Sequence, residues 1–171
     1  MPFLTSRRVE FRDTDAAGIV HFSAFFPMME AAEHEMLRDL GLSVMPKAAI
    51  QEDGNHDAEA NQEDLAVTWP RIAAQCEYSA AARFEDLLEI SVEVVHVGST
   101  SVRYKFTFKR GDLRVATGEI TAVCCRLIRG YQASDTGQSG CSESSGGSGI
   151  EVRLEKTPIP DAIRTLLARY Q

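Results

Sequence analysis

The sequence has no excess of basic residues, no long apolar run and little cysteine. Its 171 residues hold 18 Lys and Arg against 25 Asp and Glu, for a formal charge of -7. Phosphate backbones are neutralised by a basic face, so this balance speaks against nucleic acid as the main partner. It leaves room for a small anionic ligand held by a few local Arg or Lys side chains. No apolar run reaches the ~20 residues of a membrane span. No basic amphipathic helix offers itself to an anionic membrane. Met1-Pro2-Phe3-Leu4 lacks a charged segment followed by an apolar core, so no secretory leader is expected and the cytoplasm is the expected compartment. The cysteines are Cys76, Cys124, Cys125 and Cys141. No pair has zinc-ligand spacing, and the adjacent Cys124 and Cys125 would point to opposite faces of a strand. They read as free thiols of a reducing compartment. No metal and no cofactor is expected.

What is present is a chain that is 44% hydrophobic, enough for the core of a single domain over residues 1–171. Its organising stretch is Phe11-Arg12-Asp13-Thr14-Asp15-Ala16-Ala17-Gly18-Ile19-Val20-His21-Phe22. Two acids stand two residues apart, Gly18 lets the chain turn, and an apolar run leads into a helical pattern from Ser23 to Leu40. A carboxylate beside a helix N-terminus suits acyl chemistry. It can attack or activate water, while helix N–H groups polarise a carbonyl. On an extended chain Asp13 and Asp15 would point the same way.

Residues 3–11 read as a first strand, with Val9 and Phe11 on one face. Ser23 is the expected N-cap of the long helix, and Pro27 falls in its first turn. Phe25, Met29, Ala32, Met36, Leu37 and Leu40 form its apolar stripe, and Gly41 its stop. Glu30, Glu33, His34, Glu35 and Asp39 read as a solvated face. Residues 43–65 form a polar loop in which His56 is solvated. Four strand patterns follow: Leu65 to Tyr78, interrupted by Pro70; Leu87 to Val97; Ser101 to Lys109; and Leu113 to Leu127. Arg110-Gly111-Asp112 is a tight hairpin. The last of the four is apolar on both faces after Ile120, which fits a central or interface strand. Residues 130–149 are a Gly/Ser-rich excursion, and strand sequence resumes at Ile150. A short helix closes the chain, with Ile163, Leu166, Leu167 and Tyr170 on its buried side. One long helix and a meandering antiparallel sheet make an α+β domain, and a sheet apolar on its second face suggests pairing with a second copy.

The stretch Val9 to Val20, with Asp13-x-Asp15-x-x-Gly18 at its centre, and the following helix with Glu30-Ala31-Ala32-Glu33 resemble the hotdog-fold acyl-CoA thioesterases of the 4-hydroxybenzoyl-CoA thioesterase family. The similarity covers residues 5–42 well and 65–128 in outline. It implies a hotdog fold: one long central helix wrapped by an antiparallel sheet of about five strands, plus a short C-terminal helix. It implies an acyl-CoA substrate hydrolysed to free acid and CoA, with Asp15 as nucleophile or general base. The N-terminus of the long helix, with Gly18, His21 and Phe22, would bind and polarise the carbonyl. It further implies a homodimer or homotetramer. Two departures stand out. Many relatives carry His or Tyr where this chain has Phe22, with His21 one place earlier. Trp69-Pro70-Arg71 replaces smaller residues in a strand that often borders the acyl pocket, so Trp69 would reshape it. Arg103, Lys105 and Arg110, with Lys109 and Arg114 nearby, are candidates for holding the CoA phosphates. An acyl-carrier protein could replace CoA as the thioester's carrier. A silent acyl-binding or dimerisation module is the reading from another class.

Overall fold

The computed structural model describes residues 1–44, 67–131 and 150–171. Most of the polar loop with His56, and the Gly/Ser-rich run with Cys141, lie outside the described residues. Strand β1 spans Phe3–Arg8 and ends earlier than the alternation suggests. Phe11–Asp13 winds into a 3-10 turn. The turn breaks the two-residue period, so Val9 is buried while Phe11 is exposed.

Helix α1, Phe25–Asp39, follows a second 3-10 turn at Phe22–Ala24. Ser23 lies inside that turn and is not its cap; His21 is. Pro27 is the third helical residue, where a missing N–H breaks no helical bond. Gly41 takes φ +73° just past the helix end, a conformation only glycine adopts without strain. The expected stripe from Phe25 to Leu40 is buried throughout.

Strands β2 (Arg71–Tyr78), β3 (Leu87–Val97), β4 (Ser101–Arg110) and β5 (Leu113–Val123) join β1 in one antiparallel sheet, in the order β1-β3-β4-β5-β2. Pro70 cannot donate to a ladder, and β2 begins directly after it as an outer strand, with an irregular register between Arg71 and Ala73. The Leu113 to Leu127 pattern is not one strand. It breaks at Cys124, and β6 (Cys125–Tyr131) pairs with β7 (Ile150–Lys156) in a separate two-stranded ribbon. Val123, Cys124 and Cys125 are buried in succession at this crossing, which is why the alternation vanishes there. Helix α2, Asp161–Leu167, buries Ile163 and Leu167, with Tyr170 just beyond it, but leaves Leu166 half-exposed. Its apolar side is the narrower i, i+4, i+7 stripe.

The helix lies along the strands, and the match of repeats is visible in side chains. Tyr78, Ala116 and Phe108 form one cross-strand row; Cys76, Gly118 and Phe106 the next; Ala74, Ile120 and Tyr104 the third. Phe25 meets Phe108 and Tyr78 with ring centroids 5.2 and 5.3 Å away. One turn on, Met29 sits over Gly118, where an added Cβ would lie 2.2 Å from its Sδ. One turn further, Glu33 reaches Arg71 at 2.8 Å. A helical turn rises ~5.4 Å and two strand residues span ~6.6 Å, so steps of four on the helix track steps of two on the sheet. Each large apolar side chain buried in this layer contributes ~1.5–3 kcal/mol. This helix-wrapped five-stranded sheet is the hotdog arrangement.

The solvated face of α1 needs one correction. Glu33 is fully buried, because it continues the Phe25–Met29 row toward the sheet. Arg71 from β2 supplies its counter-charge. Burial outweighs that pull and raises the Glu33 carboxyl above the ordinary carboxylate range. Glu33 Oε1, Arg71 Nε and Tyr104 Oη are buried without partners.

Candidate functional site

The Asp-rich stretch forms a closed loop. Thr14 and Val20 pair antiparallel at its base. Inside, Asp15 N–H donates to Ile19 O at 2.9 Å and Gly18 N–H to Asp15 O at 3.0 Å. Gly18 has φ +73° with open space around it, so backbone conformation and not crowding demands glycine. Val20 N–H straps the loop to Ala82 O, and His21 N–H closes its base on Asp13 O, each at 2.8 Å.

The two acids do not point the same way, because the 3-10 turn at Phe11–Asp13 replaces extended chain. Asp13 Oδ2 turns back to accept from Glu10 N–H at 2.9 Å. Asp15 Oδ1 accepts from Ala17 N–H at 2.8 Å, and its residue is exposed. Asp13 is therefore a turn-closing residue, while Asp15 keeps its second oxygen open to solvent.

Next in the chain, His21 Nδ1 accepts from Ser23 N–H at 3.3 Å and lies 2.7 Å from Ser23 Oγ. An accepting Nδ1 leaves the ring proton on Nε2. His21 and Phe22 rings pack at 4.3 Å. Phe22 is 61% exposed and opens the turn that leads into α1. Its N–H is the first of the helical donors, which have no acceptor within the helix. Its carbonyl is held from outside, by Tyr78 Oη of β2 at 2.9 Å. The structure thus brings Asp15, Gly18, His21 and Phe22 together on one loop and helix entrance.

It does not bring Trp69 there. Trp69 lies just before Arg71 at the far end of β2, and that end is ~23 Å along the strand from Tyr78. Thr68 pairs with Cys125 beside it, and the indole is buried in the core. A wall of this loop is not its place in the chain. The basic hairpin is also less open than its sequence suggests. Arg110 pairs with Asp86. Lys105 stands in register between Glu93 and Glu119. Arg103 is exposed on the sheet face away from α1. A further basic set was not evident from spacing: Arg7, Arg8 and Arg12 line a groove of about 350 Å³ together with Asp13, Pro27 and Met28. Arg7 is paired there with Glu35 at 2.9 Å. Among the described residues no group of three or more His, Cys, Asp or Glu side chains converges as a metal site. Burial pushes the Cys124 thiol up to about 11, which leaves it protonated and inert. No described helix is long and apolar enough to cross a membrane.

The profile of the Thioesterase-like superfamily matches residues 9–167. The chain belongs to that superfamily. Among curated proteins it is 25% identical over 120 residues to the acyl-CoA thioesterase YbgC of Haemophilus influenzae, covering 70% of this chain and 78% of that one. It is 26% identical over 122 residues to the 1,4-dihydroxy-2-naphthoyl-CoA hydrolase of Prochlorococcus marinus, covering 71% and 74%. Among solved structures, the 1,4-dihydroxy-2-naphthoyl-CoA thioesterase Slr0204 from Synechocystis superposes with a TM-score of 0.66 at 18% identity, over 98% of this chain and 96% of that one. That likeness supports the fold.

Proposed function

We propose that this superfamily member is an acyl-CoA thioesterase, converting acyl-CoA and water to free acid and CoA. One observation carries the reading. An exposed carboxylate, Asp15, sits on a closed loop that runs directly into a helix entrance, where the Phe22 N–H has no acceptor among the described residues. The thioester carbonyl oxygen is held by that N–H, and Asp15 lies on the side of the carbonyl carbon. Asp15 either adds to the carbon, expelling CoA thiolate and leaving a mixed anhydride that water hydrolyses, or takes a proton from the attacking water. A backbone donor makes Phe22 as serviceable as the His or Tyr of many relatives, and His21 Nε2–H is a second donor beside it. A preorganised donor of this kind contributes ~3 kcal/mol to the transition state. The narrower kinship with 4-hydroxybenzoyl-CoA thioesterases rests on the Asp13 to Gly18 motif and the helix behind it.

Arg103, Lys105 and Arg110 remain the candidates for the CoA phosphates; Arg103 stands in register with His96 and Thr121, whereas Lys105 faces two glutamates and Arg110 is paired with Asp86. A homodimer or homotetramer that pairs through the sheet belongs to the same proposal; among the described residues β1 and β2 are the outer strands of that sheet. The test is thiol release from a panel of short, long and aromatic acyl-CoAs, with the parent and Asp15→Asn side by side. Release by the parent and background rates for the variant are expected. Silence of the parent on CoA thioesters, but turnover of an acyl-carrier protein, would move the substrate. Silence on both would leave a binding module.

A further inference from the structure

We infer that Tyr78 is a positioning residue that holds the Phe22 backbone donor in place from the neighbouring strand. The inference rests on the thioesterase reading above and deepens it. Three observations converge. Tyr78 Oη donates to Phe22 O at 2.9 Å, across 56 residues of sequence. The Tyr78 ring packs on Phe25, the first residue of α1, so both ends of the Phe22–Ala24 turn are gripped by one side chain. The other restraints on this turn are local: His21 caps Ser23, and Ala24 N–H returns to His21 O at 2.9 Å. Among the described residues Tyr78 gives the turn its hydrogen bond to the sheet, while Phe25 at its end also packs on Phe108 of β4.

The Phe22 N–H shares a peptide plane with the His21 carbonyl, which Ala24 N–H holds, and the next plane carries the Phe22 carbonyl, which Tyr78 holds. Phe22 φ and ψ then have little freedom, and the Phe22 N–H points in one direction before substrate arrives. That is the requirement of an oxyanion donor, whose value comes from not having to reorganise. The hydroxyl itself touches neither substrate nor Asp15. Its chemistry is a neutral hydrogen bond to the Phe22 carbonyl at an exposed site, with the Cys76 thiol as a second neighbour, of small weight in stability. The residue is thus placed where it changes rate more than folding.

The experiment compares the parent, Tyr78→Phe and Tyr78→Leu. Three readouts are taken: kcat and KM on the best acyl-CoA of the panel, hydrogen–deuterium exchange of the segment 19–25, and thermal midpoint. The expected result for Tyr78→Phe is a roughly tenfold lower kcat, short of the ~10²–10³ lost with a whole oxyanion donor. KM and midpoint stay near the parent values, and the 19–25 amides exchange faster. Tyr78→Leu shows the same fall in kcat and also a lower midpoint, because it removes the ring from Phe25. Unchanged kcat and exchange in Tyr78→Phe would overturn the inference. So would a fall in kcat matched by an equal rise in KM, which would make the hydroxyl a binding contact. Exchange does not depend on activity. Faster exchange with a parent inactive on every thioester would sink the thioesterase reading and the catalytic half of this inference, while leaving the contact established.

Discussion

The two ends of β2 fasten α1 by opposite means. At the Arg71 end the link is an ion pair to a fully buried Glu33, 2.8 Å long, with orphaned polar atoms around it. At the Tyr78 end it is an exposed hydroxyl on the Phe22 carbonyl just before the helix, beside the ring's contact with Phe25. The buried link carries a desolvation cost that its Coulomb attraction does not fully offset, so it specifies register more than it adds stability. The exposed link is inexpensive and leaves the helix entrance open. Donors that are to meet a ligand must be free in the resting protein, and only the Tyr78 end provides that. A single helix thus separates a region that fixes geometry from a region that can react.

The largest expected effect breaks the buried end. Arg71→Met leaves Glu33 without a counter-charge and costs ~3–5 kcal/mol in urea unfolding. Adding Glu33→Leu is expected to recover most of it; a double variant no better than the single would show that the pair is not what holds β2. Next comes the middle row. Gly118→Ala forces a Cβ to 2.2 Å from Met29 Sδ and 3.2 Å from Gln75 O, and the overpacking costs ~1–3 kcal/mol. A full-stability Gly118→Ala would mean that the helix is farther from the sheet than described.

A subtler difference is in pH. The folded-state pKa of Glu33 is raised above 4.5, so the folded protein binds that proton more tightly than the unfolded chain. The associated stability is present below pH 4.5 and is lost as pH rises through the folded value. Glu33→Gln is therefore expected to flatten the decline of the thermal midpoint above pH 4.5. The smallest stability effect belongs to Tyr78→Phe, about 0.5–1 kcal/mol for an exposed hydrogen bond, beside its larger effect on kcat.

Much of the fold was legible in sequence because it depends on period and punctuation. The 3.6-residue stripe from Phe25 to Leu40 and the two-residue alternations of β3 and β4 state which faces are buried. Gly41 and Gly111 mark turns that need positive φ. The closed loop around Gly18 was legible as a motif. What escaped were breaks in the period. The turn at Phe11–Asp13 looked like strand, and the crossing at Cys124 looked like one long strand, since burial on both sides erases the alternation that would reveal it.

By itself, then, the sequence determined the element types, the buried faces and the loop that presents Asp15. These follow from interactions within a few residues. Only the tertiary structure decided that Glu33 is buried against Arg71, that Trp69 lies in the core away from Asp15, and that Tyr78 grips Phe22. Each of those is a contact between residues 38 or more positions apart, or a position set by such contacts. They depend on strand order and on the match of helical turns to strand rows, which no local pattern encodes.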